Sequence, residues 1–357
     1  MKFDYVIGNP PFQEESKGEV SKLNGQKPRK NVFQKFQEAV DDVTESTSVL
    51  IYPAVRWIHR SGKGCENFGL KQINDPHLSQ IVYFEEATEV FPNVAISDGI
   101  SIVVKNQDKE ENGFDYVYVK GDERIELNLD NPGEELLTLN PKDTVITDKI
   151  AVFVTNNKLT YLHDAILPRT FFGIDSDYVE THPNMLRLYN DGDDIDFDTE
   201  VKIFTNDKAG KAGRAKWFVG SRSLIPNNQD KIKEYQVVVS SANAGGQKRD
   251  NQLEIMDNHS AFGRVRVALR SFKTKKEAEN FYKYVKSYIV RFAFLMTDEA
   301  LTSLGKAVPD LKDYTNKNKI IDFKQDIDGQ LKTKMGINDE EFAYIIDRVN
   351  SIRKEKE

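Results

Sequence analysis

Apolar and polar positions alternate in blocks along the first hundred residues. Residues 4–7 form a short, largely apolar run of β-formers, closed at once by Gly8, Pro10 and Pro11. That is the pattern of a buried strand running into a stiff turn. A polar, lysine-rich stretch at 13–30 predicts a loop. After it, Phe33, Phe36 and Val40 share one face of a helix opened by Asn31. Residues 48–52 predict a second buried strand, ended by Pro53, and a short helix follows at 68–73. Further strands are expected at 79–84 and 100–105. Strands alternating with helices argue a parallel α/β sheet. The last two strands, joined by a loop without a helix, predict an antiparallel pair at its edge.

From about Gln107 the texture changes. Residues 107–148 are acidic and hold two candidate strands, 115–120 and 124–129, a hairpin expected to act as a joint. Helices are expected at 147–156 and 161–166. The acidic stretch 175–200 matches no calcium-loop spacing and reads as a solvated face. Strands follow at 201–205, 215–219 and 235–240, then an alternating basic and apolar segment at 264–270 and a helix at 275–296. A last helix at 339–353 sets Phe342, Ile345, Ile346 and Val349 on one stripe. A chain of 357 residues is long for one compact core. The expected division is 1–108 and 109–357.

Charge adds a candidate surface. The net charge of −7 argues against a uniformly basic nucleic-acid binder but leaves room for a local basic groove. In the second region Lys208, Lys211, Arg214, Lys216 and Arg222 are interleaved with glycine and Trp217. Strand periodicity would put Arg264, Arg266 and Arg270 on one face, continued by Lys273. Such an array suits phosphate tracking on double-stranded DNA. Cys65 is the single cysteine, so no disulfide framework is expected, and no metal-ligand spacing is present. With no signal-peptide pattern and no apolar run long enough for a bilayer, a soluble cytoplasmic protein is expected.

The turn after the first strand carries the candidate chemistry. In an open α/β sheet, ligands bind beyond the carboxyl ends of the strands. Pro10 and Pro11 fix φ and remove two backbone donors. What remains is a cluster of acceptors, the Asn9 carboxamide oxygen and neighbouring carbonyls, with the Phe12 ring beside it. Such a cluster suits holding an exocyclic amine. Two acceptors taking its N–H bonds favour the positive charge that grows as the nitrogen attacks a methyl group, with no strong base required. Phe12 would stack on a base swung out of its duplex.

On these residues the chain resembles the N6-adenine DNA methyltransferases of restriction–modification systems, whose catalytic motif is Asn/Asp-Pro-Pro-Tyr/Phe. Asn9, Pro10, Pro11 and Phe12 match it without departure. The resemblance implies an α/β fold, the second half of a Rossmann-like S-adenosylmethionine-methyltransferase sheet followed by an α+β target-recognition domain. Residues 50–53 with Trp57 look like a further motif strand and its exit. Phe91, in 91–94, looks like a contact to the flipped base from its other face. Residues 13–30 resemble the mobile loop that closes over DNA. Segments 169–174, 201–204, 235–240, 275–296 and the tail 308–331 look like the target-recognition half.

S-adenosylmethionine is the implied cofactor, yet the family's Gly-rich strand–turn is missing. The pairs Gly62/Gly64, Gly210/Gly213 and Gly245/Gly246 follow no strand that leads into a helix. Cofactor-binding residues are therefore unassigned. The chain alone is expected to be inactive, with a separate chain or a missing N-terminal region supplying the cofactor site. Some relatives carry a fused endonuclease. Pro309 and Asp310 are followed by Lys312, but no acid-x-Lys sits on a following strand, so no cleavage activity is assigned. The alternative reading is a non-catalytic DNA-binding specificity module that works with such a partner chain.

Overall fold

The computed structural model describes residues 2–15, 29–58, 64–94, 96, 98–133, 137–247, 249–297 and 301–354. The chain divides into two compact units, Met1–Val145 and Ile146–Glu357. The first contains β1 (Phe3–Gly8), β2 (Gln13–Glu15), β3 (Arg29–Asn31), α1 (Phe33–Val43), β4 (Thr44–Pro53), α2 (Val55–Ile58), α3 (Glu66–Ile73), β5 (Leu78–Phe84), β6 (Ile100–Asn106), β7 (Phe114–Lys120) and β8 (Glu123–Leu129). The loop expected at 13–30 is described only at its ends, where β2 and β3 pair antiparallel. Its remainder lies outside the described residues.

Six strands form one mixed sheet in the order β1-β4-β6-β5-β7-β8. The β1/β4 and β5/β7 pairs are parallel, and the other three are antiparallel. One face is packed. Leu50, Tyr52, Ile81 and Val103 from the strands share a core with Phe33, Trp57 and Phe68 from the three helices. Phe33 stacks on Tyr52 at 5.0 Å, and Trp57 meets Tyr52 edge-on at 5.9 Å. Burying an apolar side chain of this kind stabilises by about 1.5–3 kcal/mol. The buried tip of Trp57 is satisfied: its Nε1 donates to Ser101 Oγ, which donates to the Tyr52 carbonyl.

The other face is different. The register sets Tyr5 beside Thr47, Ile7 beside Val49, and Val49 and Ile51 beside Val104 and Ile102. This face is apolar, yet Tyr5 is 72 % and Ile7 80 % exposed. The expectation of a buried first strand is thus corrected. β1 is an edge strand, and its hydrophobic pattern suits a strand covered on both faces, whereas only the helix side is covered. The parallel α/β expectation becomes a mixed sheet. β5 and β6 are antiparallel as expected but central, because the β7–β8 hairpin pairs onto β5 rather than acting as a joint. For the same reason the division falls after residue 145 and not after 108.

Next come α4 (Pro141–Asn156), β9 (Thr160–Tyr161), α5 (Tyr178–Thr181), β10 (Leu186–Leu188), β11 (Glu200–Asn206), β12 (Ala215–Ser221), β13 (Tyr235–Ser240), β14 (Glu254–Met256), β15 (Ser260–Phe262), β16 (Arg266–Phe272), α6 (Lys275–Lys286), α7 (Tyr288–Leu295), β17 (Pro309–Asp310), α8 (Ile327–Met335) and α9 (Asp339–Lys354). In the second unit, the sheet β14-β13-β16 stands between two cores. Val237, Val239, Val267 and Leu269 join the core built with α6–α9. Val238 and Ala268 join the core shared with β11 and β15 of the sheet β10-β12-β11-β15. The helix expected over 275–296 is two helices. Ser287 is extended, at φ −63 and ψ 150, and ends α6. Asp328 then accepts from Tyr288 N and Ile289 N, two of the free donors at the start of α7.

Candidate active site

β1 ends at Gly8, which pairs with Leu50. A Cβ on Gly8 would lie 3.2 Å from Leu50 Cδ2, so the bare backbone lets the strand close against β4. The chain then turns through Asn9, exposed, Pro10, buried, Pro11, exposed, and Phe12, half-buried against the first unit's core. Val32 N donates to Phe12 O at 3.1 Å, which anchors the corner to the start of α1. The Asn9 carboxamide is left facing solvent at the carboxyl end of its strand.

Across from this corner lies the segment between β5 and β6. Phe91 N donates to Ala87 O at 2.8 Å, and Val94 N to Phe91 O at 3.0 Å, so the segment is wound tightly. Asp98 ties its far end to the start of α2, just past β4: Ala54 N and Val55 N donate to Asp98 O, and Arg56 Nε lies 2.8 Å from Asp98 Oδ2. Gly99 follows at φ +57, with the Phe84 carbonyl 2.5 Å from where a Cβ would stand, so only glycine fits. This anchoring brings Phe91 to Phe12, edge to face, with ring centroids 6.5 Å apart.

Together Asn9, Pro10, Pro11, Phe12, Phe91, Val94 and Ile96 line an open pocket of about 350 Å³. The structure therefore gathers all five residues singled out in the first unit. Pro11 also backs onto a second hollow of about 410 Å³, formed with Val32, Phe36 and Ala39. Among the described residues, none that lines the first pocket is ionisable, so none of these seven side chains is a general acid, a general base or a charged nucleophile. What the pocket offers is carbonyl and carboxamide acceptors beside two aromatic rings that meet edge to face.

The basic residues separate into different environments. Lys208, Lys211 and Arg214 are exposed on the loop between β11 and β12. Lys216 lies 2.7 Å from Asp207 and, with Arg214 N, holds that carboxyl below the usual range. Arg222 donates to the Phe197 carbonyl. Arg264 pairs with Asp175 at 3.1 Å, and Lys273 is exposed. The shared strand face expected for Arg264, Arg266 and Arg270 is corrected. Arg264 precedes β16, and the register shift between Val237 and Val238 leaves Leu269 as an extra residue. That bulge turns Arg270 to the face opposite Arg266. Arg266 is buried, 3.0 Å from Glu254 and over the Phe204 ring at 4.9 Å. Burial pulls its guanidinium below its usual value, against the opposing charge of Glu254. Arg270 pairs with Asp310 under the ring of Tyr314.

Residues 1–91 match the family described as Eco57I restriction-modification methylase. The match covers β1, the Asn9–Phe12 corner and Phe91. No curated protein matches the chain. Among solved structures, the chain is similar to the type IIG restriction endonuclease BpuSI, at 10 % identity and TM-score 0.34, over 98 % of this chain and 49 % of that one. It is similar to the type IIL restriction-modification enzyme MmeI in complex with DNA, at 8 % and 0.39, over 98 % and 57 %. The type I methyltransferase subunit from Streptococcus thermophilus gives 12 % and 0.24, over 36 % and 29 %. The chain spans well under two thirds of each of these proteins.

Val94 lay inside the stretch 91–94 already singled out, whereas Ile96, Arg56 and Asp98 escaped the sequence reading. Their only signal was Asp98 with Gly99 just before a strand, and that pair marks turns of every kind. Among the described residues, no helix is long and apolar enough to cross a membrane.

Proposed function

We propose that this chain is the catalytic and target-recognition portion of a site-specific DNA adenine-N6 methyltransferase of a restriction–modification system. The observation that supports it is the open pocket at the end of β1, which sets Asn9 to Phe12 against Phe91 with no ionisable side chain among them. In this reading the Asn9 carboxamide oxygen and the Pro10 carbonyl accept from the amine of an extruded adenine. Phe12 and Phe91 hold its ring, and in-line geometry with preoriented dipoles supplies the rate. The exposed cations of the β11–β12 loop grip duplex phosphates.

S-adenosylmethionine would supply the methyl group. This chain's described residues do not fit it alone, since no glycine-rich turn leads from a strand directly into a helix N-terminus. The uncovered apolar face around Tyr5, Ile7 and Val49, beside the open edge of β1, supports a further polypeptide segment that packs there and carries the cofactor site.

The test is transfer of labelled methyl from S-adenosylmethionine to duplex DNA by the chain co-expressed with the reading frame upstream of it. Asn9→Ala should lower turnover by about 10²-fold or more while leaving duplex affinity within about twofold. Unchanged turnover would overturn the catalytic assignment. DNA binding with no transfer by the wild type would favour the non-catalytic specificity module.

A further inference from the structure

The segment across from the proline corner is tied to the hairpin of β7 and β8. Glu85 follows directly on β5. Its N–H donates to the Val119 carbonyl at 3.0 Å, and its carboxylate accepts from Tyr118 Oη and Lys120 Nζ. A 3₁₀ turn comes next, Ala87–Glu89, seated on the buried Ala87. Lys120 pairs with Glu123, so Gly121 and Asp122 make a two-residue hairpin turn, with Gly121 at φ +55. The Gly121 N–H stands outside the ladder and donates to Glu89 Oε1 at 3.1 Å. The Ala87 carbonyl in turn accepts from Phe91 N at 2.8 Å. A continuous run of hydrogen bonds thus leads from the hairpin turn, through Glu89 and its 3₁₀ turn, to the Phe91 backbone.

Spacing and tilt say what this tether does. A flat base held between two rings needs them parallel and roughly 7 Å apart, twice the ~3.5 Å contact distance between carbon atoms. The Phe12 and Phe91 centroids stand 6.5 Å apart, with their planes inclined at 60°. The spacing is near that of a sandwich, and the tilt is not. A ring turns about its own side-chain bonds, whereas the spacing is set by the backbone that carries it. We propose that Glu89 is a positioning residue for the target base: its bond to the hairpin turn holds the Phe91 backbone at sandwich spacing, and the base enters as the Phe91 ring turns parallel to it. This rests on the methyltransferase reading. Glu89 is exposed and lies outside the residues that line the pocket, so it acts only through Phe91.

Two measurements test it together: amide hydrogen exchange of the full chain, and labelled methyl transfer to plasmid DNA by the chain co-expressed with the reading frame upstream of it. Glu89→Ala should speed exchange at Phe91 by about fivefold while the amides of β4 and β6 keep the parental rate. Its kcat should fall by about fivefold, with duplex affinity within about twofold. Glu89→Gln keeps the acceptor and drops the charge, so it should restore both. A Gln variant as impaired as the Ala variant would mean that the charge is what counts. Parental exchange in Glu89→Ala would mean that Phe91 is held without Glu89, and faster exchange with unchanged kcat would mean that its placement does not matter to the reaction. Any of the three would sink the proposal. No transfer by the parent would count against the methyltransferase reading instead, and exchange would still decide whether Glu89 holds Phe91.

Discussion

Lys105 is 1 % exposed, and its ammonium lies 2.8 Å from Asp41 and 2.7 Å from Asp75. A lysine at the end of an apolar strand looks in sequence like a solvated tip. Here β6 is central, so the side chain is buried and needs both carboxylates. Burial alone would raise the Asp75 carboxyl; the hydrogen bond and charge of Lys105, with the His77 N–H, outweigh it and leave Asp75 below the usual range. Stability from that depressed value is present above the unfolded carboxylate value, about 3.9, and is lost as pH falls through the folded one. Lys105→Met should therefore cost about 3 kcal/mol at neutral pH, the low end for a broken buried pair because both acids keep some solvent. In urea unfolding, the gap to the parent should narrow below about pH 4. A gap unchanged at pH 3 would contradict the pairing. Arg266 teaches the same lesson with the opposite outcome. Its alternation suggested a phosphate contact, but Glu254 and the Phe204 ring already hold it, so its removal should act on folding rather than on DNA.

Among the elements, β1 and β16 show where a pattern stops being informative. Period-two alternation says which residues share a face only while the ladder is regular. The bulge at Leu269 inverts that rule inside β16, and nothing in the residue types marks it. β1 was legible as a strand from its β-formers and from Gly8, Pro10 and Pro11, which end it. Its burial was not, because that depends on what covers the sheet. Tyr5→Lys with Ile7→Lys replaces side chains that are 72 % and 80 % exposed. The double variant should change the chain's own stability by no more than about 0.5 kcal/mol per site. It should abolish co-purification with the segment proposed to carry the cofactor site. A large drop in thermal midpoint for the chain alone would mean that this face is already covered.

For the molecule as a whole, net charge and local charge act separately. A chain of net charge −7 can grip DNA only through a concentrated cationic feature, and the β11–β12 loop with exposed Lys208 and Lys211 is the one proposed. Lys208→Ala with Lys211→Ala should make the log-affinity against log-salt slope for duplex DNA shallower by about 1.8, at about 0.9 for each phosphate that is no longer neutralised. Fluorescence anisotropy across a salt series measures it, and an unchanged slope would place the phosphate grip elsewhere.

By itself the sequence determined the local matters: where most strands and helices lie, the proline corner after β1, and the acceptor chemistry of Asn9. These follow from propensity, from fixed φ and from missing donors, which act over a few neighbouring residues. Tertiary structure alone decided which strands are central, that Ile96 joins Phe91 and Val94 at the corner, and that Arg266 and Arg270 are taken up by ion pairs on opposite faces. Those outcomes depend on register and on packing between residues far apart in the chain, and a linear pattern carries no record of either.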